Sequence, residues 1–345
     1  MLQGHVFHSF AHKDLRSNGP YVWSQFFGGL TPAVFLFLTG VTLGFLMDSK
    51  SSKEPSGWRR ILATVHRARY LLLIGLLFRV QLWFTSFGQS EWQNIFKVDI
   101  LNCMAAAALL LAPLALLDTR ARVWAASLGG LFVAGLAPLV SAAGLTALHP
   151  FLRHYLVPDP NFFPIFPWGA FVAFGLGAGS LLRLAPDADL PGLMKRAAIG
   201  GAVLAVGARA AASLPIRLYA SSDFWLNSPA LILIKTGIIL LIASTAFYLT
   251  SRWKPGHWSP IRQLGTTSLL VYWVHTEVVY GTSLGAWKET LSVPQTILMA
   301  VFVIASMVLL SVASTGWRGF PGVPALFSEW RASLGEPLPQ ATAGD

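Results

Sequence analysis

The sequence has little cysteine and little charge. Its 345 residues contain one cysteine, Cys103, which excludes an intramolecular disulfide and a zinc site made of several cysteines. Charged residues make up only 12% of the chain, whereas 54% is hydrophobic and the mean hydropathy is +0.58. A soluble globule cannot hide that much apolar surface, so the composition predicts a polytopic membrane protein. In a membrane protein with a net charge of +10, the informative feature is how the basic residues are distributed among the loops. We predict no nucleic-acid partner.

Nine apolar runs approach the length of about 20 residues that a transmembrane helix needs. They cover residues 27–47, 70–87, 99–117, 123–145, 163–182, 197–216, 229–250, 264–284 and 295–314. Before them, residues 1–12 would rise only about 18 Å as a helix, against roughly 30 Å of hydrocarbon, so we expect Met1 to be internal to a longer first helix. We predict an all-α transmembrane bundle of nine full spans plus an N-terminal half helix, ten spans in the intact protein. Residues 1–315 form this domain, and 316–345 form a loosely ordered tail.

Lys and Arg are unevenly distributed between alternate loops. One set of loops, with the tail, holds Lys50, Lys53, Arg59, Arg60, Arg67, Arg69, Arg120, Arg122, Arg183, Lys195, Arg196, Arg252, Lys254, Arg262, Arg318 and Arg331. The opposite set holds only Lys13, Arg16, Lys97, Arg153, Arg217 and Lys288. Because positively charged loops stay in the cytoplasm, the first set and the C-terminus are predicted to be cytoplasmic. The N-terminal end of the sequence then lies near the outer face.

Three histidines follow one another in the N-terminal segment GHVFHSFAH. His5, His8 and His12 are spaced by three and then four residues, which places them on one face of a helix. Three imidazoles on one face suit a metal ion, but no carboxylate supports such a site, and we predict none. A general base is the other role open to one of them, because a neutral imidazole accepts a proton near neutral pH.

Polar side chains inside the spans are the next informative feature, because each carries a desolvation cost that a partner or a water-filled cavity must offset. Arg79 lies within a span, and Asp99 and Asn102 begin the next span on one shared face. In the run SLLVYWVHTEVVY, Tyr272 and His275 likewise share a face. These stripes predict a polar pocket inside the bundle.

Each of these side chains also has a structural interpretation. Arg79 would serve equally as the ion-pair partner of Asp99 or as a group that binds a substrate anion. His275 would serve equally as a hydrogen-bonded packing residue or as a site residue. For Arg209 and Lys235 we favour structural roles, in which their long side chains snorkel or pair with helix ends.

Several stretches occur in an order that characterises one family. They are GHVFHSF, TPAVFLFLTGVTLGF, HRARYLLLIGLLFR, KVDILNCMAAA, FPIFPWGAFVAFGLGAG and LGTTSLLVYWVHTEVV. Together they resemble the heparan-alpha-glucosaminide N-acetyltransferase-like membrane proteins, a bacterial group similar in layout to the membrane acyltransferases that modify surface sugars. The resemblance extends over nearly the whole chain, up to about residue 314. The Asp-x-x-Arg-Gly-like start of the family's first helix is missing, which agrees with a start upstream of Met1.

The resemblance implies acyl transfer from a cytoplasmic acyl-CoA to a sugar or glycan acceptor at the outer face. Acetyl-CoA is the expected co-substrate, and no permanently bound cofactor is implied. His5 matches the position of the family's catalytic histidine and would be a general base or a transient acyl carrier. Arg79 and Asn102 would steady carbonyl or phosphate oxygens, while Asp99 would orient a base or hold Arg79.

The resemblance also assigns the remaining walls of the pocket. Tyr272 and His275 would complete its far side. The chain has no Gly-rich phosphate loop of the soluble nucleotide-binding kind, so CoA would be bound by a basic inner loop. The basic residues of that loop are Arg59, Arg60, Arg67 and Arg69. The implied setting is the lipid of a bacterial inner membrane. A homo-oligomer is compatible with the resemblance.

A transporter or flippase is the alternative function. The buried charges would equally suit an ion- or substrate-coupled carrier. Those charges are Arg79, Asp99, Arg209, Lys235 and Glu277. Against a carrier, the two halves of the sequence show no convincing internal repeat, and the histidines gather at one face rather than at the midplane.

Overall fold

The computed structural model describes residues 1–16, 19–53, 57–88, 90–215, 218–252 and 259–316. Within these ranges the protein consists of α-helices joined by loops and short 3-10 helices, without a β-strand, which confirms the all-α prediction. The helices are α1 (Leu2–Phe10), α2 (Gly19–Lys53), α3 (Gly57–Thr85), α4 (Ile100–Leu111), α5 (Thr119–Ala143), α6 (Pro150–Leu156), α7 (Ile165–Leu184), α8 (Leu190–Ala212), α9 (Pro229–Arg252), α10 (Pro260–Thr266), α11 (Ser268–Tyr280) and α12 (Val293–Gly316). The predicted tail lies almost entirely outside the described residues.

Seven of the described helices are long and apolar enough to cross a membrane: α2, α3, α5, α7, α8, α9 and α12. The other two predicted spans are not single long helices. After α4 the chain tightens into a 3-10 turn at Ala112–Leu116, because Pro113 has no N–H to continue the α-helix. The run 264–284 is broken at Thr267, where the hydroxyls of Thr266 and Thr267 bond back to the carbonyl of Gln263. The count of nine spans therefore stays a prediction.

The larger part of the molecule, which we call the main bundle, contains α2, α3, α4, α5, α7 and α9 around one apolar core. Close contact between α2 and α7 depends on glycine. A Cβ atom on Gly40 would lie 2.0 Å from the carbonyl oxygen of Val172, and one on Gly175 would lie 1.9 Å from that of Phe37. Neither position has room for any side chain, so these glycines set the helix spacing.

The smaller part, which we call the terminal group, contains α1, α11 and α12. Its separate core includes Val6 and Phe10 from α1, with Val271 and Val279 from α11. The end of α1 is tied to the loop before α12, because the Leu291 carbonyl accepts from the His12 amide at 2.9 Å. The two ends of the described chain therefore meet in one cluster, which packs on the main bundle where Gly4 contacts Gly28.

Candidate functional site

His5 and His275 form a hydrogen-bonded pair although they are 270 residues apart. Nδ1 of His5 lies 2.9 Å from Nε2 of His275, and the two rings stack with centroids 5.1 Å apart. His275 has no exposed surface, whereas His5 is half-buried. The structure thus brings together a histidine of α1 and a histidine of α11, as these two helices pack against each other.

The partners of the pair define its hydrogen positions. Nδ1 of His275 lies 2.5 Å from the carbonyl oxygen of Val271, and a carbonyl can only accept a hydrogen bond. Nδ1 of His275 therefore carries a hydrogen, which leaves Nε2 of the neutral ring as an acceptor. His5 then donates from its own Nδ1, so its Nε2 keeps a free lone pair. That atom is a suitable base or nucleophile, and His275 is the residue that orients it.

Arg79 and Asp99 form an ion pair on the main-bundle side of the site. Nε of Arg79 lies 3.3 Å from Oδ2 of Asp99, whose side chain is only 3% exposed. The other oxygen of Asp99 accepts from the backbone N–H of Asn102 at 3.0 Å and caps the start of α4. The ion-pair alternative for Arg79 is therefore the one that the structure shows. Any contact of these residues with substrate stays a prediction.

Tyr272 lies between His275 and helix α3. Its ring contacts His275 with a centroid distance of 5.9 Å and also packs on Phe78. Phe78 directly precedes Arg79 on α3, so Tyr272 packs on the helix that carries the arginine. We call the boundary between the main bundle and the terminal group the seam. The polar stripe of α11 and the polar residues of α3 and α4 expected from the sequence thus face one another across it.

Asn102 lies beside the ion pair and is turned toward α3. Its side-chain amide is 3.4 Å from the carbonyl oxygen of Lys97. Its own Oδ1 lies so close to α3 that a Cβ atom on Gly75 would be 2.7 Å away. Gly75 therefore makes the room that Asn102 needs. The proposed contact between Asn102 and a carbonyl oxygen of the donor is not tested by this arrangement.

The four predicted CoA-binding arginines lie elsewhere. Arg59, Arg60, Arg67 and Arg69 are on the first half of α3, ten to twenty residues before Arg79. At the α-helical rise, this separation is about 15 to 30 Å along the axis. The structure does not bring them to the histidine pair, and three of the four are exposed. Their role in binding CoA remains a prediction.

The prediction that three N-terminal imidazoles share one helical face is wrong for His12. Helix α1 ends at Phe10, and Ala11 adopts an extended conformation that pairs the chain with Leu291. His12 lies beyond the helix, where its ring is 3.3 Å from the Asp14 carboxylate. His5 and His8 both contact the ring of Tyr280 instead. Among the residues that the structure describes, no three metal-binding side chains come together.

Sequence reasoning missed a buried ion pair at the opposite end of the bundle. Arg122 was counted as a loop charge, yet it has no exposed surface and lies 2.9 Å from the Asp48 carboxylate. Its guanidinium also donates to the carbonyls of Leu114 and Leu117. Asp48 is the acidic residue at the end of an apolar run. Burying its charge carries a desolvation cost, and this cost indicates that a positively charged partner lies nearby.

The three other charged residues within the spans each contact a polar partner. Nζ of Lys235 donates to the carbonyl of Gly29 at 3.2 Å and lies over the ring of Trp168. Glu277 accepts from the side-chain amide of Gln81 at 3.3 Å. Arg209 of α8 donates to the hydroxyl of Ser213, the residue that follows this helix, and lines a shallow groove on its outside. These contacts agree with structural roles for Lys235 and Arg209.

Fold and site together define a multi-pass membrane protein whose polar centre is a histidine pair beside a buried ion pair. The family model described as heparan-alpha-glucosaminide N-acetyltransferase, catalytic, matches residues 1–219. The chain belongs to this acetyltransferase family, which confirms the resemblance seen in the sequence. No curated protein matches the chain. The matched part contains His5, Arg79 and Asp99, whereas Tyr272 and His275 follow it.

Proposed function

We propose that this protein transfers an acetyl group from acetyl-CoA to a sugar or glycan acceptor, with His5 as the general base. The observation that carries this proposal is the hydrogen-bonded pair of His5 and His275. A backbone carbonyl fixes the hydrogen of His275, which in turn directs the free lone pair of His5 away from the pair. Membership of an acetyltransferase family supplies the reaction type.

The chemistry follows from that lone pair. Nε2 of His5 accepts the proton of an acceptor amine or hydroxyl while the acceptor attacks the thioester carbonyl. A C–N or C–O bond forms, the C–S bond breaks, and the thiolate of CoA takes the proton that His5 received. Nε2 would alternatively carry the acetyl group itself in a two-step reaction. In either case His275 holds the ring, and Arg79 and Asn102 supply donors for the developing negative charge.

The placement of charge supports a reaction across the membrane. We propose that the end with Arg59, Arg60, Arg67 and Arg69 faces the cytoplasm of a bacterial inner membrane and binds the CoA phosphates. Arg69 and Arg79 are ten residues apart on α3, or about 15 Å along the helix, so a donor held near Arg69 would need an extended arm to reach the site. In this orientation the C-terminus is cytoplasmic, and the acceptor comes from the other side.

The carrier alternative receives less support from the contacts. A carrier needs buried charges that exchange partners with an ion or a substrate. In this protein Arg79, Lys235 and Glu277 each have a partner on a neighbouring helix. This pattern favours fixed roles in helix packing over alternating occupancy.

Labelled acetyl-CoA, supplied to proteoliposomes with a panel of amino sugars and glycans, tests the proposal. We expect label in an acceptor with the wild-type protein, and a loss of about 10²- to 10⁴-fold in His5→Ala. His12→Ala is the matched control and retains activity, because His12 lies outside the pair. The absence of transfer, of CoA release and of a CoA-dependent thermal shift would contradict the donor assignment and favour the carrier.

A further inference from the structure

Tyr280 is a partly exposed residue at the end of α11 whose ring contacts both His5 and His8. Its ring centroid is 5.3 Å from that of His5 and 5.9 Å from that of His8, and its hydroxyl is 3.3 Å from Nδ1 of His8. Tyr280 is 39% exposed, whereas His275, the other ring in contact with His5, has no exposed surface. A molecule that approaches His5 from this exposed edge therefore passes against Tyr280.

The backbone around Tyr280 is held in place. Tyr280 is the last residue of α11, and its carbonyl accepts from Nζ of Lys288 at 2.7 Å. The hydroxyl of Ser9 donates to the carbonyl of Val279 at 2.7 Å, which joins α1 to α11 beside the ring. These two hydrogen bonds from side chains to main-chain carbonyls hold Tyr280 in place beside the histidines, as a preorganised binding wall requires.

The chemistry of this edge suits a sugar ring. The aromatic ring of Tyr280, which is partly exposed, is the kind of apolar surface on which the C–H face of a pyranose packs. Its hydroxyl and the imidazole of His8 provide polar atoms at the rim, where sugar hydroxyls would lie. The combination of an aromatic face with a few placed polar groups is typical of small-molecule sites.

We propose that Tyr280, together with His8, forms the acceptor-binding wall of the site and sets the affinity for the sugar acceptor. The inference rests on the proposed function, because it assumes a sugar acceptor that reaches His5. It assigns Tyr280 to binding and not to the chemical step. The residue therefore controls the acceptor KM, while kcat and the KM for acetyl-CoA depend on other groups.

The test compares purified wild-type protein with Tyr280→Ala, Tyr280→Phe and Tyr280→Leu, using the methyl glycoside of glucosamine as acceptor. Binding of this glycoside is measured by calorimetry, and initial rates are measured against both substrates. Tyr280→Ala is expected to raise the acceptor Kd and KM about tenfold, equivalent to about 1.4 kcal/mol. Tyr280→Phe retains most of the affinity because it keeps the ring. Tyr280→Leu fills the space without a ring and is expected to behave like Tyr280→Ala.

Tyr248→Ala is the control. The hydroxyl of Tyr248 on α9 donates to the carbonyl of Pro191 on α8, and neither helix belongs to the terminal group. This variant should leave both KM values unchanged. An unchanged acceptor Kd and KM in Tyr280→Ala and Tyr280→Leu, or a rise confined to the KM for acetyl-CoA, would overturn the inference. So would a wild-type protein that does not bind the glycoside. Failure of wild-type transfer with every acceptor contradicts the proposed function instead.

Discussion

The main bundle and the terminal group are built by different means. Helices of the main bundle cross closely at glycines such as Gly40 and Gly175, and its core extends over six helices. The terminal group has a small core and is held to its own loop by main-chain bonds and by ion pairs of Glu289. The main bundle contributes the ion pair of the site, whereas the terminal group contributes the histidine pair and Tyr280.

This difference shows how the site is assembled. Neither part contains all of the polar groups, and they meet only when α1 and α11 pack beside α2 and α3. Tyr272 contacts both sides, since it touches His275 and Phe78. Changes in the main bundle should therefore affect folding most, and changes in the terminal group should affect the geometry of the site.

The largest effect on stability is expected from Gly175→Ala in the main bundle. The new Cβ would lie 1.9 Å from the carbonyl oxygen of Phe37, so α2 and α7 must move apart. We expect a loss of about 3 kcal/mol in the free energy of unfolding, because overpacking of a close contact is costly. Thermal unfolding in detergent measures the change. Gly207→Ala is the control, since no atom lies within 4 Å of its Cβ position, and equal unfolding temperatures for both variants would contradict the packing account.

A loss of stability of similar size is expected from Asp99→Asn at the main-bundle side of the seam. Asparagine still caps α4, but it leaves the charge of Arg79 unpaired where that side chain is only 18% exposed. Breaking a buried pair in this way costs about 3 kcal/mol. The double variant Arg79→Gln with Asp99→Asn should recover much of this stability without recovering transfer activity. A double variant that is less stable than Asp99→Asn would show that the two charges do not interact.

The smallest effect is expected from Glu289→Gln in the terminal group. Nζ of Lys13 lies 2.8 Å from one oxygen of Glu289, and Arg16 lies 2.9 Å from the other. The hydrogen bond from Lys13, with the charges of Lys13 and Arg16, lowers the pKa of Glu289 below 4.5. Because the folded-state pKa is lowered, the ion pairs stabilise the fold above pH 4.5 and lose this effect as the pH falls through the folded-state value.

Unfolding temperatures of the wild type and Glu289→Gln, measured from neutral to acidic pH, check this prediction. The difference should be present at neutral pH and should vanish in acid. Glu91→Gln serves as the control, because Glu91 is an exposed residue whose side chain makes no capping bond. A difference that persists unchanged below the folded-state pKa would contradict the assignment to charge.

Much of the fold could be predicted because the signal is local. Runs of about 20 apolar residues identify a spanning helix without knowledge of its neighbours, and seven described helices follow that rule. The missing N–H of Pro113 and the hydroxyls of Thr266 and Thr267 interrupt two helices, but a hydropathy profile does not detect such interruptions. Hydropathy therefore predicts both spans as continuous. The end of α1 before His12 likewise depends on Leu291, which is remote in sequence.

The site could be predicted only in part. Tyr272 and His275 share a face because of helical spacing, and Arg79 and Asp99 were possible partners because neither charge is tolerated alone in a membrane. The contact between His5 and His275 has no local signal, since it arises from the packing of α1 against α11, which are remote in sequence. Tyr280 was missed because a tyrosine at the end of an apolar run is ordinary at a membrane interface.

A double-mutant cycle on acetyl transfer tests the central claim, that His5 and His275 act as one unit across the molecule. Rates are measured for the wild type, His5→Ala, His275→Ala and the double variant. We predict that each single change lowers the rate, His5→Ala by about 10²- to 10⁴-fold, and that the double variant is no slower than His5→Ala. Losses that multiply in the double variant, or a His5→Ala variant with wild-type activity, would contradict the account.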